Sequence, residues 1–346
     1  MRRIFLTLVP LALVVAACTA GAEPESPEKL TIISHDSFAG GVTEETFAAF
    51  TAKTGIEVEV VAAGDAGSMV NQAVLSKDNP LADVLFGVDD TFLSRALDAK
   101  IFTPYRPEIL ADLPADLIDR EGRVTPIDFG DVCPNYDKEW FETTQIQVPA
   151  TLDALRSDIY ASVLTVEHPA TSSPGLAFML ATIDVFGEDG WLSFWADLRD
   201  AGVNVAPDWD TAYFAEFTRY GGDSSIVVSY ASSPPAEVIF SEDPLTEAPT
   251  GVIEAGCYRQ VEYAGILEGT PYPDAAGKLI DFMLSVEFQE QIPLTWFVFP
   301  VNPDAQLPPE FVEHTVIPDN PTRFAAAYIA QNRDRWIAEW VQVMEG

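Results

Sequence analysis

Leu30-Thr31-Ile32-Ile33-Ser34, Ile56-Glu57-Val58-Glu59-Val60 and Ala82-Asp83-Val84-Leu85-Phe86-Gly87-Val88 are three short runs with the apolar density or strict alternation of strands. Helical patterns separate them. Residues 43–54 carry Phe47 and Phe50 at helical spacing, with Glu44 and Glu45 in the first turn and Gly55 as the stop. Gly64-Asp65-Ala66-Gly67-Ser68 leads into a second helix through Met69, Val70, Val74 and Leu75, and Asp89 and Asp90 can cap a third through Phe92, Leu93 and Leu97. Strands alternating with helices at these intervals predict a parallel sheet covered by helices, and such sheets collect ligands at the carboxyl ends of their strands. Those ends are residues 34–38, 64–68 and 88–91.

A second αβ unit starts near Thr125. Leu164–Glu167 reads as its strand, Ser172-Ser173-Pro174-Gly175 as the start of a long helix reaching Phe186, and 225–229 as a further strand. From about Glu262 the pattern turns helical at 275–284 and 321–344, where Trp336 and Trp340 stand four apart as a core-facing stripe. The 346 residues, 48% of them hydrophobic, suffice for roughly two domains with real cores, which excludes a disordered chain or a disulfide-stapled miniature.

Charge narrows the partners. Lys and Arg number 19 against 54 Asp and Glu, for a formal −35, so nucleic acid and anionic lipid headgroups would be repelled. Such an excess serves solubility in a salty or acidic medium, or concentrates a cationic ligand. Met1-Arg2-Arg3 followed by the apolar stretch from Ile4 to Ala17 is too short for a membrane span and has the form of a signal peptide, residues 1–17. Its end, Val15-Ala16-Ala17-Cys18, resembles a bacterial lipobox, which implies cleavage before Cys18, lipid on that cysteine and a flexible tether over 18–28. An ordinary secretory signal is the other reading. Cys133 and Cys257 remain in a chain exported to an oxidising compartment; one disulfide is the economical expectation and a free catalytic thiol the rival.

Enzymatic signatures are thin. The chain has no G-x-S-x-G elbow, no P-loop and no G-x-G-x-x-G after a strand, and His35, His168 and His314 lack metal-ligand spacing. No metal and no cofactor is expected. More informative are Trp209, Tyr230, His35 and Trp296, which fall where predicted elements meet loops, close to Asp36, Asp65 and Asp210. Aromatic faces beside carboxylates suit a flat heteroaromatic cation, and Ser172, Ser173 and the N–H groups of the helix they open suit its hydroxyl or phosphate end.

Four stretches carry a family resemblance. Thr31-Ile32-Ile33-Ser34-His35-Asp36-Ser37-Phe38, Ala82 through Asp89, Thr171-Ser172-Ser173-Pro174-Gly175-Leu176 and Val228-Ser229-Tyr230-Ala231-Ser232-Ser233-Pro234 resemble the bacterial thiamine-binding proteins that feed an ABC importer. The likeness runs from about Leu30 to Trp340. It implies an α/β fold of the two-lobed periplasmic-binding-protein type, each lobe a mainly parallel sheet flanked by helices, with two hinge crossings. Residues 29–125 plus 262–346 would form one lobe and 126–261 the other. Ligand contacts would fall on Asp65, Ala66, Ser172, Ser173, Trp209 and Tyr230-Ala231-Ser232-Ser233-Pro234. Three departures mark this chain: His35 stands where the family often has Tyr, Ala236 where it has an aromatic, and Phe297, beside Trp296, where it has Trp. Trp209, Tyr230 and Trp296 or Phe297 would then hold the rings of thiamine or its phosphates, with Asp36 or Asp65 offsetting the thiazolium charge.

The expected protein is a monomeric, non-catalytic receptor tethered by lipid on Cys18 outside the cytoplasmic membrane, handing its cargo to ABC permease subunits. Two alternatives stand beside it. Thiaminase I, an enzyme of similar fold, uses a cysteine nucleophile, and Cys133 lies in a comparable interlobe segment, although its neighbours are acids that raise a thiol pKa. A receptor of the same fold for iron or a polyamine is the second; Tyr230 has no adjacent Tyr partner for iron, whereas a polyamine would suit carboxylates with aromatic walls.

Overall fold

The computed structural model describes residues 26–346 except 114, 116, 120, 242 and 243. The expected signal peptide and Cys18 lie outside the described residues. Among the described residues eleven strands form one continuous sheet: β1 (Lys29–Ser34), β2 (Glu57–Ala62), β3 (Val84–Asp89), β4 (Phe102–Thr103), β5 (Thr125–Asp137), β6 (Leu164–Glu167), β7 (Asn204–Ala206), β8 (Ile226–Tyr230), β9 (Thr250–Val252), β10 (Tyr258–Leu267) and β11 (Phe299–Pro300). The main order is β2-β1-β3-β10-β5-β8-β6-β7, with β4, β9 and β11 attached to β10 or β5.

Two parallel patches flank two long antiparallel strands. β2, β1 and β3 pair in parallel, as do β8, β6 and β7, because each is reached through a helical crossover. β10 and β5 run antiparallel to each other and to their outer neighbours β3 and β8. They carry the chain from one patch to the other and back, so the sheet is mainly parallel within each half and antiparallel where the halves meet. Cys133 of β5 and Cys257, just before β10, form a disulfide with Cα atoms 4.4 Å apart, clipping the two connecting strands together.

Local differences from the sequence pattern have local causes. The pattern predicts a helix over 43–54; the regular helix is Ala48–Thr54, and the preceding turn is held by the Thr43 N–H donating to Thr46 Oγ1. Asp89 caps the turn after β3 by accepting from the Phe92 N–H and the Thr91 hydroxyl. Asp90 does not cap it. Its carboxylate instead accepts from the Val261 N–H and the Tyr258 hydroxyl of β10.

The long helix Ser173–Asp200 breaks at Gly187, whose φ of 68° and ψ of 172° fold it back so that Trp191, Phe194 and Trp195 are buried. The last helix, Ala326–Glu345, seats Trp336 and Trp340 fully in the core, as expected from their spacing. Trp340 meets Trp195 edge-on at 5.4 Å, and Trp336 Nε1 donates to Glu188. From the same helix the Arg333 guanidinium lies 5.7 Å over the Phe92 ring. This terminal helix, which the sequence division gives to the first lobe, thus touches both halves. No helix among the described residues is long and apolar enough to cross a membrane.

Candidate functional site

The carboxyl ends of β1, β6 and β8 and the middle of β10 surround a cavity of about 140 Å³. One wall is aromatic. Trp209 stacks on Tyr213 at 5.2 Å and 17°, Phe214 meets Trp209 edge-on at 5.5 Å, and Tyr230 stands 6.4 Å from Trp209 at 66°. Tyr213 belongs to a π-helical turn, Thr211–Glu216, a wide turn that occurs preferentially at functional sites. Hydrogen bonds hold these rings in place: Trp209 Nε1 donates to Ser229 Oγ at 2.9 Å, and the Tyr230 hydroxyl donates to Gln260 Oε1 at 3.2 Å. Buried Glu237 accepts from the hydroxyls of Tyr213 and Tyr220, at 2.7 and 2.8 Å, and pairs with Arg219. A single carboxylate therefore holds two of the rings, Tyr213 and Tyr220.

The opposite wall is acidic. His35 caps the helix Asp36–Gly41, its Nδ1 accepting from the Phe38 N–H, which turns Nε2 toward Glu262 Oε1 at 3.2 Å. Gly87, with φ of 95°, makes room for that ring; a Cβ there would lie 2.3 Å from His35 Cδ2. Burial opposes a charge on His35, but the nearby Glu262, Asp65 and Asp210 outweigh it and raise its pKa. Asp65 caps the helix Ala66–Leu75, and burial pushes its pKa up to about 6 against the opposing Ala66 N–H bond. Irregular register in β10, between Glu262 and Tyr263 against β5 and between Tyr263 and Ala264 against β3, falls at the cavity, where such bulges re-aim side chains.

Across the cleft the walls already touch. The Gly67 N–H donates to the Thr171 carbonyl at 3.0 Å, and a Cβ on Gly67 would lie 2.8 and 2.9 Å from the carbonyl oxygens of Thr171 and Ala170. The close approach of the two halves thus depends on the missing side chain.

Of the residues singled out from sequence, His35, Asp65, Ala66, Ser173, Trp209, Tyr230, Ser233, Trp296 and Phe297 line the cavity. Trp296 is largely committed to the core, packed against Phe38 and Phe86 with Nε1 donating to Asp128 Oδ2 at 3.0 Å, so Phe297 is the freer ring. Phe297 sits at φ of 62°, a strained conformation for a bulky residue, of the kind that gathers at ligand clamps. Its ring meets Phe240 at 4.8 Å. Phe240 follows Ala236 by one helical turn and supplies the aromatic that Ala236 lacks.

The others lie behind this surface. Asp36 is exposed and accepts from the Gly64 N–H. Ser172 is fully buried at the start of the long helix, where its hydroxyl faces Asp65, and Ser232 is fully buried as well. Ala231 packs on the disulfide, and Ser232 and Pro234 are buried in the turn that aims Tyr230. The pattern missed Tyr213, Phe214, Tyr220, Glu237, Phe240, Gln260 and Glu262, all of which line the cavity. The run of aromatics from 209 to 220 was the available signal for three of them. Cys133, bonded to Cys257, carries no free thiol, so the nucleophile required by an enzymatic reading is absent. Among the described residues no cluster of His, Cys, Asp and Glu could hold a metal ion.

A sheet divided by two connecting strands, with a polar and aromatic cleft between its halves, defines a solute-binding protein. The chain belongs to the bacterial extracellular solute-binding proteins, whose family model matches residues 79–332, and these are binding components of transport rather than enzymes. It is 30% identical over 318 residues to the thiamine-binding periplasmic protein of Escherichia coli, covering 90% of this chain and 92% of that protein. It is also 30% identical over 335 residues to the protein of the same name from Salmonella typhimurium, covering 96% and 97%. A solved periplasmic thiamin binding protein superposes with a TM-score of 0.79 at 28% identity over 98% of this chain and 99% of that one.

Proposed function

We propose that this protein captures thiamine, or a thiamine phosphate, by closure of two lobes and presents it to an ABC importer. The observation that carries the reading is the facing of Trp209, Tyr230 and Phe297 around one cavity whose other side bears Asp65 and Glu262. Aromatic faces bind a flat cation by stacking and cation–π attraction, and the carboxylates offset its charge. The Ser173 hydroxyl, which lines the cavity at the start of the helix that runs to the break at Gly187, gives a phosphate or hydroxyl tail a place to bond. The names of the relatives support the same cargo.

The lobes would be the two halves of the sheet, 29–125 with 262–346 and 126–261, turning about β5 and β10, with the Gly67 contact to Thr171 closing them. We further propose that lipid on Cys18 anchors a monomer outside the cytoplasmic membrane. A polyamine remains the competing cargo, because the same carboxylates would attract it. Competition between thiamine and spermidine on one sample, followed by indole fluorescence, decides between them: thiamine is expected to resist displacement by a hundredfold excess of spermidine, roughly the 2.7 kcal/mol such a ratio represents. Ready displacement would favour the polyamine.

A further inference from the structure

Glu262 stands on β10, and the register sets Asp128 of β5 directly opposite it on one side and Asp89 of β3 on the other. Opposed residues of an antiparallel pair project to one face with Cα atoms about 4.5–5.5 Å apart. Three carboxylates are thereby drawn up across three strands. Asp89 and Asp128 are 0% exposed and Glu262 8%. Of the three, Glu262 lines the cavity.

The groups facing this row are few in positive charge. His35 Nε2 approaches Glu262, with Asp65 and Asp210 facing His35 in turn. Trp296 donates to Asp128 Oδ2, and Thr91 and the Phe92 N–H donate to Asp89. Asp90 lies beside Asp89, bonded to the Tyr258 hydroxyl and attracted to Arg323. Tyr230 faces the row from β8, its ionisation opposed first by burial and then by Glu262, Asp65, Asp89 and Glu167. Asp128 Oδ1 is buried without a partner. Burial disfavours the charged forms of Asp89 and Asp128, so these two carboxylates favour keeping a proton. Burial and the charge of Glu262 push Asp128 well above the usual carboxylate range, and burial and Asp90 do the same to Asp89.

We propose that Glu262 is the counter-ion that selects a permanently charged ring, and that capture of such a ring beside it expels a proton held by the buried carboxylates Asp89 and Asp128 on the flanking strands. The proposal rests on the thiamine reading and moves the counter-ion from Asp36 and Asp65 to β10. Asp36 is unsuited, being exposed and engaged with Gly64. A ring with a fixed positive charge lowers the cost of ionising Asp89 and Asp128, so ligand and proton oppose one another.

The test uses thiamine and 3-deazathiamine, its neutral ring isostere, titrated calorimetrically at neutral pH in two buffers of different ionisation enthalpy. The wild type is expected to release protons on binding thiamine and none on binding the isostere. Glu262→Gln is expected to lose about tenfold or more in thiamine affinity while isostere affinity stays within about threefold. Equal weakening of both ligands would mark Glu262 as merely structural, and absence of proton release in the wild type would overturn the proposal. Asp128→Asn, which alters the row behind the cavity, provides a second variant should the first misfold; it is expected to release fewer protons, and unchanged release would count against Asp128 as a source of the expelled proton. Failure of the wild type to bind thiamine at any pH would instead remove the thiamine assignment itself, and this proposal with it.

Discussion

The two walls of the cleft are built on opposite principles. The wall from 209 to 240 is a set of rings in mutual contact, fixed by Glu237 and by hydrogen bonds to Ser229 and Gln260. The wall from β1, β3 and β10 holds ionisable groups whose charges depend on one another, with His35 between Glu262 and Asp65. One wall supplies shape that does not change with conditions; the other supplies a field that does. A cleft of this kind grips by stacking and discriminates by charge, and the two properties can be disturbed separately.

The joint between the walls should show the largest effect. Removing the disulfide with Cys133→Ala and Cys257→Ala opens a cross-link spanning 124 residues of sequence, and is expected to cost about 2–5 kcal/mol of stability in denaturant titration. A loss confined to thiamine affinity, with stability unchanged, would mean that the bridge serves the cleft rather than the fold. Next comes the rigid wall. Trp209→Ala should weaken thiamine binding by about 2–3 kcal/mol, as truncation of a central aromatic anchor does, with a thermal unfolding check that the fold persists. Loss of less than about threefold would remove Trp209 from the ligand's surroundings.

Closure comes third. Gly67→Ala should lower affinity about tenfold, because its Cβ would meet the carbonyl oxygens of Thr171 and Ala170 and keep the walls apart. Scattering of the ligand-saturated variant should retain the dimensions of the free protein; a variant that still contracts on ligand would contradict the latch. The smallest effect belongs to the acidic wall of the free protein. Asp65 takes up its proton near pH 6 in the folded state and near 3.8 when unfolded, so between those values the folded state binds more protons. Stability from this group therefore falls as pH rises through that window. Asp90, also raised to about 6 by burial, acts in the same direction. The unliganded protein should gain a few degrees in unfolding temperature on acidification from neutral to about pH 5, and Asp65→Asn should reduce the gain.

Much of this architecture was legible because it is local. β1, β3 and β6 are apolar runs between turn residues, and the helix opened by Ser172-Ser173-Pro174-Gly175 announces itself by its cap and proline. β5 and β10 were not. Thr125–Asp137 contains two prolines, a glycine and three aspartates, and is a strand only because β10 and β8 bind it from either side. The same blindness hid the acidic floor: Asp89, Asp128 and Glu262 are far apart in sequence and meet through register alone. Trp209 and Tyr230 were visible as aromatics at loop boundaries, whereas Glu237, which ties Tyr213 and Tyr220 together, looks like any helical glutamate until the helix Ser233–Ile239 is placed. Sequence distinguishes neighbours along the chain; the field inside the cleft is set by neighbours across it.

Calorimetric titration of the purified protein with thiamine at neutral pH addresses the central claim most directly. The expected result is one site per chain with a dissociation constant of about 1 μM or tighter, near −8 kcal/mol or better. Heats that fit no binding tighter than about 1 mM would contradict it, leaving the rings of Trp209, Tyr230 and Phe297 arranged around some other cargo.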